Sequence, residues 1–420
     1  MDKIIIEGGH KFSGIVEISG AKNAALPVLI STILTDEECV IENIPQLKDI
    51  ETTALLLEYF GKKVIRETNK VTISQKQGHK VPLEAPYELV KRMRASFFAA
   101  GPLLAKYGKI KVALPGGCAI GVRPVDIHLD GFRKLGAKIE LKEGYVHLSC
   151  RQLKGAVVDF RFPSVGATEN VLMAAVLAQG RTIIRNAALE PEIVDLADFL
   201  NKLGAKIEGA GKKTIKITGV KKLSGTNYYS VIPDRIETGT YLIAAAITGG
   251  NVRVEKCVPG HVSALVEKLK EAGLKINQGG NFIEIKWAGK LKPVNISTQP
   301  YPGFPTDLQA QWMALMCVAK GTSKIHEKVF ENRFLHAAEL QRLGAKLEIS
   351  EDTVTVTGPS RLTGAPVMVS DLRAGAALVL AGLVARGKTT VTRVYHLDRG
   401  YERLERKLVR LGAKIYREVG

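Results

Sequence analysis

Six times along this chain a helix-period pattern of apolar positions stops at a glycine and passes at once into a strand-like segment: LEYFGKKV, FRKLGAKI, LNKLGAKI, LKEAGLKI, LQRLGAKL and LVRLGAKI. Their glycines stand at 61, 136, 204, 273, 344 and 412, between 68 and 75 residues apart, so the chain reads as six copies of one unit. In each copy the glycine predicts a left-handed helix C-cap, with a β hairpin after it. Ahead of each phrase lies a second recurring block, built from small residues: GAKNAALPVLIST, MRASFFAAGPLLAK, VGATENVLMAAVLA, IETGTYLIAAAIT, TDLQAQWMALMCVA and LRAGAALVLAGLVA. These are helices apolar on most sides, which predicts that neighbours bury them. Each unit therefore reads as small-residue helix, strand, loop, amphipathic helix and hairpin. Six buried helices with surrounding sheets suit an α/β barrel turned inside out.

A linking phrase separates one hairpin from the next small-residue helix. It appears as GVKKLSG at 219–225 and GPSRLTG at 358–364, and also at the N-terminus as GGHKFSG, 8–14. The sixth unit breaks off at KIYREVG without it, which predicts that an N-terminal hairpin completes that unit. Residues 21–232 are then one three-repeat domain, and 1–20 with 233–420 the other. A cleft between two such domains is the expected place for a site.

Composition narrows the function. At 420 residues the chain exceeds one ordinary core, and 45% hydrophobic content is that of a globular protein. The net charge of +18 asks for an anionic partner or a lysine-rich surface. Basic residues are spread evenly with no aromatic platforms among them, which ranks nucleic acid last. Five cysteines, at 39, 118, 150, 257 and 317, form no CxxC pair and no Cys/His ligand spacing, which predicts reduced thiols in a cytoplasmic compartment and no metal site. The N-terminus, MDKIIIEGGHKF, lacks a signal peptide's pattern, and the longest apolar run, 374–385, is too short to span a bilayer.

Candidate chemistry concentrates on one loop, VALPGGCAIGVRPVDIHL, from Val112 to Leu129. Its glycines allow close approach to a ligand, and a thiol beside an arginine loses its proton more readily, so Cys118 with Arg123 reads as a reactive thiol; a tight turn with an incidental cysteine is the alternative. GLVARGKT, 382–389, fits the phosphate-loop pattern, but a phosphate loop follows a strand and opens a helix, whereas this one ends a helix and reads as a turn. The loops and helix starts that break repeat symmetry contribute Lys22, Asn23, Lys48, Asp49, Arg94, Ser164 to Gly166, Glu190, Asp234, Arg235, Asp307, Glu331, Arg333, Asp371, Arg373 and Arg399. Asp234 and Asp371 read as caps of their own helices, and Arg235 as the partner of an acid. Lys22, Arg123 and Arg399 read as unmatched cations on loops, placed for an anionic ligand.

SGAKNAALP, KRMRASFFAAGPL, LPGGCAIGVRPVDIHL, FPSVGATEN, PDRIETGT, FPTDLQAQ, VFENRF, DLRAGAALVLAG and YHLDRGYERLE together closely resemble the enolpyruvyl transferase family over the whole chain. The cysteine loop resembles the branch of that family that uses UDP-N-acetylglucosamine. The resemblance implies two inside-out barrels and a cytoplasmic enzyme, without cofactor or metal, that opens peptidoglycan synthesis. It would move the enolpyruvyl group of phosphoenolpyruvate to the sugar 3-hydroxyl and release phosphate. By the same resemblance Cys118 is the general acid and reactive thiol, and Asp307 the base near the attacking hydroxyl. Lys22, Arg123 and Arg399 surround phosphoenolpyruvate, with Asn23 and Arg94 nearby. The nucleotide sugar meets Arg123, Pro124, Val125, Asp126 and Ile127, then Ser164, Val165 and Gly166, and Val329. A departure is Phe162, preceded by Arg161, where family members can carry a lysine. Transfer to shikimate 3-phosphate and a repeat scaffold without activity are the competing readings.

Overall fold

The computed structural model describes residues 2–78, 81–85, 94–114 and 125–420, the side chains of 94–96 excepted. These fall into two compact units: residues up to Ser19 together with Pro233–Gly420, and the described residues from Gly20 to Ile232. Each unit holds three four-stranded sheets, and no strand pairing joins one of the six sheets to another among the described residues.

All six sheets are built alike. In the sheet of the third repeat, the edge strand Val157–Asp159 runs parallel to Arg181–Arg185. Arg181–Arg185 pairs antiparallel with Thr214–Thr218, which pairs antiparallel with Lys206–Glu208. Parallel neighbours need a crossover, and here it is the small-residue helix Val165–Ala175, every residue of which is buried from Ala167 onward. Its counterparts Arg235–Ile247 and Leu372–Gly382 are buried throughout after their first residue. The second helix of each repeat is amphipathic: Ser263–Glu271 buries Leu265, Val266 and Leu269 and turns its lysines outward. The glycine that ends each of these six helices has φ between +82° and +103°, a region closed to residues with a Cβ except at a cost.

GLVARGKT is a turn, as read from the sequence. Gly382 closes the helix Leu372–Gly382, and Gly387, at φ +87°, precedes the strand Lys388–Thr392.

The N-terminus departs from the expected hairpin. Its two strands do not pair with each other. Lys3–Glu7 inserts antiparallel between Lys388–Thr392 and Lys414–Glu418 as the missing third strand of the sixth sheet. Ser13–Glu17 runs parallel to Asn251–Glu255 and is the edge strand of the fourth. Thr226–Ser230 does the same for the first sheet, beside Cys39–Glu42. The reason is the shared design: each sheet needs an edge strand placed before its buried helix, so the linking phrase serves the repeat that follows it.

Ile4, Ile5 and Ile6 on the inserted strand are 0 to 2% exposed, and burial of three such side chains contributes about 5 kcal/mol or more, comparable with the whole stability of an ordinary domain. A chain starting at Gly8 is therefore expected to lose cooperative unfolding of the unit that contains Pro233–Gly420. Thermal unfolding checks this, and an unchanged transition would mean that the sixth sheet closes without its third strand.

Candidate active site

Asp307 is held by two arginines. It sits in the short 3-10 turn Thr306–Leu308 that opens the buried helix Gln309–Met316. Arg333 donates to its Oδ1 at 2.7 Å and Arg373 to its Oδ2 at 2.9 Å. Both arginine side chains are 5% exposed, while the aspartate keeps 28%. Burial alone would raise the carboxyl's pKa, but Arg373 and Arg333 outweigh it and hold Asp307 well below the ordinary value. The two arginines thus favour its ionised form. The backbone is pinned too: Gln311 Nε2 donates to the Asp307 carbonyl at 3.1 Å and to Tyr401 Oη at 3.1 Å, and Tyr401 Oη shares a 2.9 Å hydrogen bond with Thr240.

Sequence reading missed Glu327, which is 3% exposed at the end of the strand Gly321–His326. Its Oε1 accepts from Thr298 Oγ1 at 2.8 Å, Val329 N at 2.9 Å and Phe330 N at 3.2 Å. Its Oε2 accepts from Thr306 Oγ1 at 2.8 Å, and Thr306 Oγ1 accepts from Arg333 Nη1 at 3.0 Å. An acid just after a strand gives no pattern signal, since its partners come from three separate stretches.

In the other unit Lys22 and Asn23 are the first two residues of the helix Lys22–Ser31. Lys22 is not an unmatched cation as expected: its Nζ lies 3.3 Å from Asp49 Oδ2, and the two side chains are nearly enclosed. A helix start repels a cation, and the buried acid compensates for it. The predicted nucleotide contacts fall at two helix starts. Val125 caps Asp126–Lys134, which holds Asp126 and Ile127, and Ser164 caps Val165–Ala175, with its Oγ accepting from Ala167 N at 3.3 Å. The structure brings these starts together: Arg161 pairs with Asp126, and a Cβ on Gly166 would stand 3.3 Å from the His128 ring and 3.1 Å from Phe98. Phe162 beside Arg161 is exposed.

Asp234 and Asp371 cap their own helices, as read. Arg235 lies over the Tyr301 ring at 5.6 Å. Arg399 is half-buried at the end of the 3-10 stretch Val394–Arg399, where burial first and then its charge hold His396 below the ordinary value. Val329 is half-buried beside Glu327. Cys118, Arg123 and Pro124 lie outside the described residues, and Arg94 opens the 3-10 stretch Arg94–Ala99. The four described cysteines are free thiols. Among the described residues no group of three His, Cys, Asp or Glu is placed to hold a metal ion.

The family model of EPSP synthase (3-phosphoshikimate 1-carboxyvinyltransferase) matches residues 6–408. The chain belongs to that family. The UDP-N-acetylglucosamine 1-carboxyvinyltransferase of Endomicrobium trichonymphae is 57% identical over 416 residues, with 99% of each chain covered. That of Myxococcus xanthus strain DK1622 is 55% identical over 420 residues and covers all of both chains. Among solved structures the enolpyruvyl transferase NikO from Streptomyces tendae superposes with a TM-score of 0.89 at 26% identity, covering 100% of this chain and 99% of its own. EPSP synthase from Acinetobacter baumannii, at 19% identity and TM-score 0.76 over all of both chains, shares the fold. The expected fold class is thus that of the chain's structural relatives.

Glu190, singled out by its loop, belongs to a buried acidic group with Glu169, Glu192 and Asp195, each no more than 7% exposed. Burial first, then Glu192 and Glu190, hold the Glu169 carboxyl well above the ordinary value. Asp195 is pushed up to about 7, chiefly by burial, although Tyr229 Oη donates to its Oδ1 at 2.8 Å. A carboxyl whose folded pKa is raised holds its proton in the folded state after the unfolded chain has lost it. Its contribution to stability is therefore full below the unfolded value and lost as pH rises through the window from roughly 4 to about 7. Asp195→Asn retains the acceptor for Tyr229 and removes the proton. The variant is expected to gain stability relative to the wild type progressively across that window, with a constant difference above it. Denaturant unfolding at several pH values checks this, and a pH-independent difference would mean that Asp195 is ionised in the folded chain.

Proposed function

We propose that this chain transfers the enolpyruvyl group of phosphoenolpyruvate to the 3-hydroxyl of UDP-N-acetylglucosamine, releasing phosphate, as the first committed step of peptidoglycan synthesis. The observation that carries the reading is identity of 57% and 55%, end to end, to transferases named for that acceptor, against 19% to an EPSP synthase of the same fold. Free thiols at Cys39, Cys150, Cys257 and Cys317 support a cytoplasmic setting. No helix among the described residues is long and apolar enough to cross a membrane.

In this reading Cys118 Sγ gives its proton to C3 of phosphoenolpyruvate, and positive charge develops at C2. The sugar 3-hydroxyl oxygen bonds to C2, and its proton passes to Asp307. The tetrahedral adduct then expels phosphate, which carries away the proton Asp307 took, while a C3 proton returns to the Cys118 thiolate, restoring the double bond. Lys22, Arg123 and Arg399, with Asn23 and Arg94 beside them, balance the phosphate and carboxylate charges. The nucleotide sugar contacts Val125 to Ile127, Ser164 to Gly166 and Val329. With both carboxylate oxygens accepting from arginines, Asp307 is a weak base, which suits taking the hydroxyl proton as the new C–O bond makes that proton acidic.

Phosphate release with UDP-N-acetylglucosamine against shikimate 3-phosphate tests the acceptor; release with shikimate 3-phosphate alone would overturn the reading. Fosfomycin, an epoxide phosphonate, is expected to alkylate Cys118, with peptide mapping as the check. Modification of Cys39, Cys150, Cys257 or Cys317 with activity lost would reassign the thiol. Cys118→Asp keeps an acid without a soft nucleophile and is expected to turn over slowly and resist the drug. Asp307→Ala is expected to lower kcat far more than it weakens nucleotide-sugar binding, because the proton is taken only in the transition state. Equal losses in kcat and in calorimetric affinity would make Asp307 a binding residue only.

A further inference from the structure

Glu327 joins two stretches that the proposed reaction uses for different purposes. One of its oxygens gathers the Thr298 hydroxyl and the amides of Val329 and Phe330, and so shapes the loop that leads to Arg333. The other accepts from Thr306, whose oxygen receives Arg333 Nη1, while Arg333 Nη2 holds Asp307. Its own amide donates to the Asp352 carbonyl at 2.8 Å, so the acid is fixed at its base as well. An acid that served only to close a loop would have no need of Thr306. The hydroxyl has one proton and here gives it to Glu327, which leaves its lone pairs turned to Arg333. Glu327 thus reaches Arg333 through the Thr306 hydroxyl, while Asp307 takes Arg333 and Arg373 directly.

We propose that Glu327 is a positioning residue of the transferase, acting through Thr306 and Arg333 on the base Asp307 and through the amides of Val329 and Phe330 on the nucleotide-sugar loop. The inference rests on the reaction proposed above.

The test compares Glu327→Gln, Thr306→Val and their double variant with the wild type in steady-state phosphate release, with thermal unfolding as a check of folding. Thr306→Val cuts the relay and leaves the loop contacts in place. Its kcat is expected to fall about ten-fold or more with little change in KM for UDP-N-acetylglucosamine. Glu327→Gln keeps an acceptor for the loop amides but presents an NH2 group to Thr306, so it is expected to match that loss, and the double variant to be no worse than either single one. Glu327→Ala also releases the loop and is expected to raise KM for the nucleotide sugar. Wild-type kcat in both single variants, or losses that multiply in the double variant, would overturn the relay; should Glu327→Gln fail to fold, Thr306→Val at wild-type kcat does so alone. If the wild type releases no phosphate with UDP-N-acetylglucosamine, the proposed function falls instead, and the same variants are compared on shikimate 3-phosphate.

Discussion

A helix that is apolar on every side has to be covered on every side, and that requirement organises this chain. Val165–Ala175, Arg235–Ile247 and Leu372–Gly382 expose almost nothing, so no single sheet could serve them. Small residues let such helices lie close to one another, which puts them inside and leaves the sheets as an outer wrap. One repeat supplies one helix and one sheet and cannot enclose its own helix. Three together do, and the core of each unit is correspondingly continuous, running through all three of its repeats.

Within that repeating frame charged residues inside the walls are the exception, and several are held by an opposite charge. Asp307 has its two arginines, Lys22 has Asp49, and Lys407 donates to Glu237 at 2.6 Å and to Ser19 at 2.7 Å. The acids around Glu169 are the contrast. No basic group figures among the causes of the Glu169 shift, and the cost of burial appears as a raised pKa instead. Enclosed carboxylates are thus handled in two ways, by pairing at Asp49 and Asp307 and by a raised pKa at Glu169.

Most of the fold was legible because its signals are local. A glycine at the end of an amphipathic helix sets the left-handed turn wherever it occurs, and Gly61, Gly136, Gly204, Gly273, Gly344 and Gly412 all adopt it. The N-terminal strands were misread because strand pairing is not local: Lys3–Glu7 finds partners nearly four hundred residues away, and the sequence says only that both strands exist. Helix caps such as Asp234 and Asp371 were equally plain. The partner of Lys22 was not, for Asp49 lies 27 residues on and resembles an ordinary first-turn acid. Glu327 left no trace at all, since its role is defined by Thr298, Thr306 and two amides, which only the fold collects.

The placement of Lys3–Glu7 between Lys388–Thr392 and Lys414–Glu418 has a bearing on biosynthesis. The stretch from Gly20 to Ile232 is one continuous segment whose last strand, Thr226–Ser230, supplies the edge of its first sheet, so it can close once that strand has left the ribosome. Lys3–Glu7 cannot do the same. The strand carries three adjacent isoleucines, and its partners are translated nearly four hundred residues later. Over that interval of synthesis the nascent chain therefore presents an unpaired, apolar strand, the kind of segment that chaperones shield and that crowding turns toward aggregation.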